Sequence, residues 1–377
     1  MILQIHIISL NVPYPANYGG VIDIFYKIKS LHEAGVQIHL HCFDYGRGNQ
    51  PELEKYCNNV TYHQRKTGFS NSLSQKPFIV KSRNDNHLLE LLLTTDYPIL
   101  FEGLHTTLYL DHPLLKNRIK IVRAHNVEHE YYRLLAEQER TLFKRYYFKK
   151  EASKLARFES ILRQSNAIAA ISPNDYRYFN EKYGKTFLLP PFHSNSGITS
   201  TIGLSDFALY HGDLSVRENI ESALFLIRIF KSKDVKIIFA GKNPSKEIVK
   251  SMKGHPNLIL IQNPSEMEIL KLRKTAQVHL LPTFQPTGIK LKLIASLFEG
   301  RHCLVNSAMI KGTGLETLCH LANTPEEFEN KTRKLMMLPF EDKDLIIRKE
   351  ILTKNFNNTR NAQIFVDELN LLKQIIS

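Results

Sequence analysis

The sequence predicts an α/β fold of two doubly wound parallel-sheet domains. Three observations carry this reading. Apolar runs alternate with helical patterns from the first residue, the alternation is interrupted once by a polar Gly/Ser-rich stretch, and the same rhythm then restarts. A length of 377 residues exceeds one typical core and agrees with two.

"ILQIHIISL" reads as a buried first strand. It is apolar, but it has no basic leader or small-residue cleavage site and carries Gln4 and His6, so a signal peptide is not expected. "DIFYKIKSLHEAG" follows with helical spacing and "VQIHLHCF" as the next parallel strand. "YPILFEG", "IKIVRAH" and "AIAAIS" are further strands, and the longest helical stretch runs from about Val127 to Gln164 with one break. After "KTFLLPPF", the segment "HSNSGITSTIGLS" reads as a linker. The second half gives "FALYHGDLS", the helix "ENIESALFLIRIF", then "VKIIFAG", "LILIQ", "VHLLP" and "HCLVN". The expected organisation is a first domain over 1–192, a linker over 193–205, a second domain over 206–355, and a closing helix over 356–377 that is free to pack back on the first domain.

Hydrophobic residues make up 43% and charged residues 23%, with mean hydropathy −0.25, which excludes a disordered chain and a polytopic membrane protein. Four scattered cysteines without a Cys-x-x-Cys pair point to a reducing cytoplasm and away from zinc or a disulfide framework. A net charge of +13 asks for an anionic partner: a nucleic acid, an acidic lipid face or a phosphorylated substrate. No ribonucleoprotein motif, helix-turn-helix signature or zinc-finger spacing is present, so nucleic acid is not expected.

Three stretches offer chemistry. In "NVPYPANYGGVIDIFYKIKS" the adjacent Gly19 and Gly20 let backbone approach a ligand, although this is neither Gly-x-Gly-x-x-Gly nor a Walker loop. In "IKIVRAHNVEHEYYRLLA", Arg123, His125, Asn126, Glu128 and His129 crowd a strand's carboxyl end, where doubly wound sheets bind ligands. His125 and His129 are four apart, but His-Asn-Val-Glu-His is not the zinc-protease pattern His-Glu-x-x-His, and no metal is expected there. In "TFQPTGIKLKLIASLFEG" a loop opens a helix, and free backbone N–H groups together with Lys290 or Lys292 suit an anion.

Taken in order, "PYPANYGG", "RAHNVEHEYY", "KKEASKLARFES" before "AIAAISPND", "LLPPF", "YHGDLSVREN", "FAGKNPS" and "TGIKLKLIASLFEGRHCLVN" followed by "KGTGLE" resemble the GT-B glycosyltransferases, specifically the retaining, nucleotide-sugar-dependent family 4. The resemblance spans nearly the whole chain. It implies two Rossmann-like domains facing across a cleft, the first on the acceptor side and the second holding the donor. It implies a nucleotide-diphosphate sugar as substrate, a glycan or lipid-linked acceptor, no metal or other cofactor, and a role in cell-envelope polysaccharide synthesis. On this resemblance Gly288, Ile289 and Lys290 face the diphosphate, Gly19 and Gly20 close from the other domain, His125 sits by the donor sugar, and Arg217 is a further phosphate contact. Arg123, Asn126 and Glu128 are substrate-binding candidates beside His125. An epimerase on the same scaffold is an alternative that product analysis separates.

One departure weakens the donor site. Ala295 stands where relatives place a Glu that binds the donor ribose, and Thr287 stands where the partner acid falls. Losing a charged acceptor costs about 1.5–3 kcal/mol, roughly one to two powers of ten in affinity. Glu299, one helical turn deeper, is the candidate replacement, and the alternative is a degenerate protein that binds nucleotide or sugar without transfer. Finally, "RTLFKRYYFKKEASKLAR" interleaves seven cations with four aromatics, which suits a peripheral place on the inner, anionic face of the cell membrane.

Overall fold

The computed structural model describes residues 2–68, 71, 74–139, 141–285, 288 and 290–376. The chain forms two compact units, one of residues 1–193 with 357–377 and the other of residues 194–356.

The first unit is a seven-stranded parallel sheet of β1 (Gln4–Ser9), β2 (Gln37–Asp44), β3 (Asn59–Gln64), β4 (Ile99–Glu102), β5 (Lys120–Ala124), β6 (Ala167–Ala170) and β7 (Thr186–Leu188), in the order β3-β2-β1-β4-β5-β6-β7. Its central strands are buried on both faces, which is why they read as near-continuous apolar runs. Along β1, Ile5 and Ile7 enter one apolar cluster and Ile8 the other. β3 escapes the sequence reading because "NVTYHQ" is a half-exposed edge strand with polar side chains. The helical stretch after β5 is broken into Glu128–Gln138 and Leu142–Phe158, and a tighter 3-10 turn, Glu159–Gln164, finishes it.

The closing helix Asn358–Ile376 lies with the first unit, because its Ala362, Phe365, Leu369 and Leu372 share a cluster with Ile24, Ile28 and Leu31 of the helix Gly19–Glu33. Its first residue is pinned as well: Asn358 Oδ1 accepts from the His193 N–H at 3.2 Å, and Asn358 Nδ2 donates to the His193 carbonyl at 2.7 Å. On the other face of the sheet a chain of ring contacts runs from Thr95 to His6 (2.8 Å), His41 (2.9 Å), His63 (3.4 Å) and Asp85 (2.6 Å). Burial lowers the His6 pKa to about 3 and that of His41 well below its ordinary value, so these imidazoles are neutral partners within the core.

The second unit is a six-stranded parallel sheet of β8 (Ala208–Asp213), β9 (Ile237–Lys242), β10 (Leu258–Gln262), β11 (Val278–Leu281), β12 (His302–Val305) and β13 (His320–Leu321), in the order β10-β9-β8-β11-β12-β13. Here glycine is required by close approach. A Cβ on Gly241 would lie 1.9 Å from the Gly212 carbonyl, and one on Gly300 would lie 1.9 Å from His279 Nε2. Among the described residues, no helix is long and apolar enough to cross a membrane.

Candidate functional site

In the first unit, the carboxyl ends of β4 and β5 meet the helix Gly19–Glu33 over a buried ionic network. Asp23 and Lys27 sit four apart on that helix, one turn, and so share a face. Lys27 Nζ donates to Glu102 at 2.7 Å and to Asp23 at 3.1 Å. Arg123 clamps Asp23 with two bonds, 3.0 and 3.2 Å, and His125 Nε2 lies 3.0 Å from Glu102. Burial alone would raise the Asp23 carboxyl, but Arg123 and Lys27 overcome it and hold the group well below the usual carboxylate range. Glu102 is lowered in the same way, with Lys27 and His125 overcoming burial.

This arrangement corrects one expectation and refines another. Arg123 is 0% exposed, and it also donates to the Leu189 and Pro190 carbonyls, so it binds the protein's own interior and is out of reach of a substrate. His125, by contrast, keeps a partly exposed ring whose orientation Glu102 fixes. His125 and His129 turn to different carboxylates, Glu102 and Glu159. Asp23, Glu102 and His125 do bring ligand atoms within 4.8 Å of one another, but the Lys27 ammonium already lies against both carboxylates and supplies the positive charge that a cation would bring.

Gly19 and Gly20 open the helix Gly19–Glu33, which has no side-chain cap and no acid in its first turn. A Cβ at Gly19 would meet nothing within 4 Å, and at Gly20 only the Tyr18 ring at 3.7 Å, so packing does not demand glycine at either place. Glu128 is buried at the start of the next helix with Asn126 as a hydrogen-bond partner, and burial raises its pKa to about 8.

In the second unit, the helix Leu291–Glu299 follows a bend at Gly288, whose φ of 66° favours glycine. No side chain caps the helix, and its first turn holds no acid. Lys290 Nζ lies 3.5 Å from Glu218, and Lys292 Nζ donates to Asn219 Oδ1 at 3.0 Å while standing 5.3 Å over the Tyr210 ring. Burial lowers both amines, Lys292 to about 8. Glu218 also accepts from the Thr283 hydroxyl at 2.6 Å. Two lysines thus face one carboxylate beside uncapped amides, and the sequence reading missed Glu218 because its partners lie 65 or more residues away. Thr287 and Ile289 lie outside the described residues.

Glu299, expected to stand in as the ribose acceptor, is already engaged. Its carboxylate is 4% exposed and taken by Arg273 through two bonds and by Asn195 Nδ2 at 2.6 Å. Arg217 lies at the start of the helix Arg217–Phe230, half-exposed, with Nε on Glu221 of its own helix at 3.0 Å.

No known protein-family profile matches the sequence. A curated protein of Klebsiella pneumoniae, described as an uncharacterized 44.6 kDa protein in the cps region, is 26% identical over 336 residues, covering 82% of this chain and 84% of its own. Among solved structures, TarM superposes with a TM-score of 0.66 at 11% identity over 99% of each chain. HepE of Anabaena, solved with UDP and glucose, gives 0.63 at 11% identity over 98% of this chain and 99% of its own. The lipopolysaccharide outer core galactosyltransferase WaaB gives 0.62 at 13% identity over 97% of this chain and 100% of its own. With two all-parallel Rossmann-like sheets and these neighbours, the chain has the GT-B glycosyltransferase fold.

Proposed function

We propose that the protein is a glycosyltransferase that moves a sugar from a nucleotide-diphosphate donor to a glycan or lipid-linked acceptor, with retention, in the synthesis of a cell-envelope polysaccharide. The observation that carries this reading is the pair Lys290 and Lys292, set close to Glu218 at a helix start that no side chain caps. Breaking the sugar–phosphate bond adds negative charge to the leaving diphosphate, and preorganised amides and amines stabilise it without a metal. The relative from a cps region and the neighbour solved with UDP and glucose support the polysaccharide role and the nucleotide-sugar donor. His125, oriented by Glu102, would sit by the sugar, with Gly19 and Gly20 admitting the donor's phosphates, as the family resemblance implies.

A second reading, binding without transfer, is favoured by Ala295 together with the engagement of Glu299 by Arg273 and Asn195. A thermal-shift screen with uridine, guanosine, adenosine and cytidine diphosphates first identifies the base, since a ligand of the folded state raises the melting temperature. Ala295→Glu should then tighten that nucleotide about tenfold by calorimetry if a ribose site is otherwise intact. An unchanged or weaker affinity refutes the ribose geometry assumed here, and product analysis with the matching sugar nucleotides separates transfer from binding.

The membrane reading rests on the start of the helix Leu142–Phe158. Phe143 is 78% exposed, with Leu142 and Tyr146 also in solvent and Lys144, Arg145, Lys149 and Lys150 around them. Apolar tips ringed by cations suit an anionic bilayer surface. Phe143→Ser with Lys149→Ser should abolish co-sedimentation with anionic liposomes, and equal sedimentation with neutral liposomes would refute a charge-led contact.

A further inference from the structure

We propose that the carboxyl end of the first unit's sheet is an acceptor subsite for a saccharide that carries an anionic group, a carboxylate or a phosphate, beside its sugar ring. The inference rests on the transferase reading for its place in a reaction, but the binding chemistry is argued from the residues themselves.

The loops that leave β1, β2 and β3 bring guanidinium groups and aromatic rings together. Arg65, after β3, stands 4.8 Å over the Tyr45 ring, which follows β2, and 5.6 Å from Phe78. Arg47, also after β2, stands 5.5 Å over Tyr18 in the loop from β1. Both rings reach solvent, Tyr45 at 60% and Tyr18 at 42% exposure. Exposed rings that already bear a guanidinium on one side offer the apolar face and the charge that an acidic sugar needs.

The positive charge is not cancelled. Among the described residues no salt bridge reaches Arg47, Arg65 or the buried Arg83. Among the described residues their hydrogen-bond partners are neutral: Asn17 Oδ1 and the Pro15 carbonyl for Arg47, Ser82 Oγ for Arg65, and the Leu10 and Ile79 carbonyls for Arg83. Asp44, the carboxylate of the β2 loop, is engaged by the backbone N–H groups of Arg47 and Gly48. Burial, with the like charge of Arg65 adding to it, lowers the Arg83 pKa to about 9, so the two guanidiniums repel. The acid that bears on Arg83, Glu128, is neutral near pH 7 because burial raises its pKa to about 8.

The same locus holds polar atoms without partners. Arg47 Nε, His105 Nδ1 and Glu128 Oε1 are buried and unpaired, and the last two face each other at 3.8 Å. A neutral carboxyl and a neutral imidazole set side by side suit a hydroxyl that approaches both from one flank. That point lies next to the reaction centre proposed above: a Cβ on Gly103 would lie 2.8 Å from His105 Nδ1 and 3.5 Å from His125 Cδ2. The arginines and the unpaired His105 and Glu128 atoms thus belong to one edge, with His125 at its end.

Saturation-transfer NMR and calorimetry on the full chain with four probes test this: methyl glucuronoside, glucose 6-phosphate, methyl glucoside and inorganic phosphate. Either or both anionic sugars should bind at least about tenfold more tightly than methyl glucoside and than phosphate alone, and Arg65→Gln should weaken them by roughly ten- to hundredfold. A carboxylate source and a phosphate source are told apart by which of the two anionic sugars binds. Tyr45→Ala should remove saturation of the ring protons while the fold, followed by melting temperature, is kept. Equal binding of neutral and anionic sugars, binding of phosphate alone, no binding of any probe, or an Arg65→Gln variant that binds like the parent each overturns the proposal. Binding of a nucleoside diphosphate to the unmodified chain is measured in parallel, so that a failed transferase reading is distinguished from a failed acceptor subsite.

Discussion

Lys290→Ala is expected to weaken binding of the cognate nucleoside diphosphate by roughly ten- to hundredfold, the loss of one charge-assisted hydrogen bond. It should slow transfer more, by about a hundred- to a thousandfold, because charge on the leaving diphosphate grows in the transition state. Folding should be affected less than binding, because Glu218, freed of the amine at 3.5 Å, keeps the Thr283 hydroxyl at 2.6 Å. Calorimetry with the diphosphate and single-turnover kinetics with its sugar check the two effects separately. An unchanged diphosphate affinity would remove the second unit's turn from the donor site. Lys292→Met is the companion variant. Its amine is buried on Asn219 and the Tyr210 ring, so part of its effect should appear as lost stability as well as lost affinity.

The fold was legible because parallel strands buried on both faces leave continuous apolar runs, as in "ILQIHIISL" and "VKIIFAG", and because helices between them keep a different period. β3 was not, since an edge strand with one solvated side looks like a polar loop. The charged side chains at the strand ends were legible in the sequence, and their partners were not. Arg123 and Glu299 look like ligand-binding charges in the sequence because nothing local contradicts it. Their partners are Asp23, 100 residues earlier, and Arg273 with Asn195, 26 and 104 residues away. The same blindness hid Asp23 and Lys27, which in "GGVIDIFYKIKS" resemble solvent-facing helix residues and are in fact 1% and 0% exposed. Long-range ion pairs are set by how the sheet is wound, and that information is not contained in local spacing.

Lys27→Met should lower stability by about 3–5 kcal/mol at neutral pH, the range for removing one partner of a buried ion pair. In the intact network two carboxylates, Asp23 and Glu102, are balanced by Lys27 and Arg123. Without Lys27, Arg123 still clamps Asp23, but Glu102 retains only His125 at 3.0 Å and faces a second carboxylate. Burial and Asp23 should then raise the Glu102 pKa, reversing its direction in the parent, where it is lowered. The sign of the pH dependence follows. A raised folded-state pKa contributes stability below the unfolded value, about 4.3 for Glu, and loses it as pH rises through the folded value. The variant's deficit relative to the parent should therefore be small in acid and largest at neutral pH, where it corresponds to a melting temperature lower by roughly 10 °C. Glu102→Gln added to Lys27→Met should recover part of the loss by removing the charge left unpaired. Because Glu102 also fixes the His125 ring, the double variant should regain stability without regaining transfer activity. Denaturant titrations at pH 5 and 7.5 decide the matter: a deficit below about 1 kcal/mol, or one that does not shrink in acid, would show that the Lys27 ammonium does not neutralise this buried pair of carboxylates.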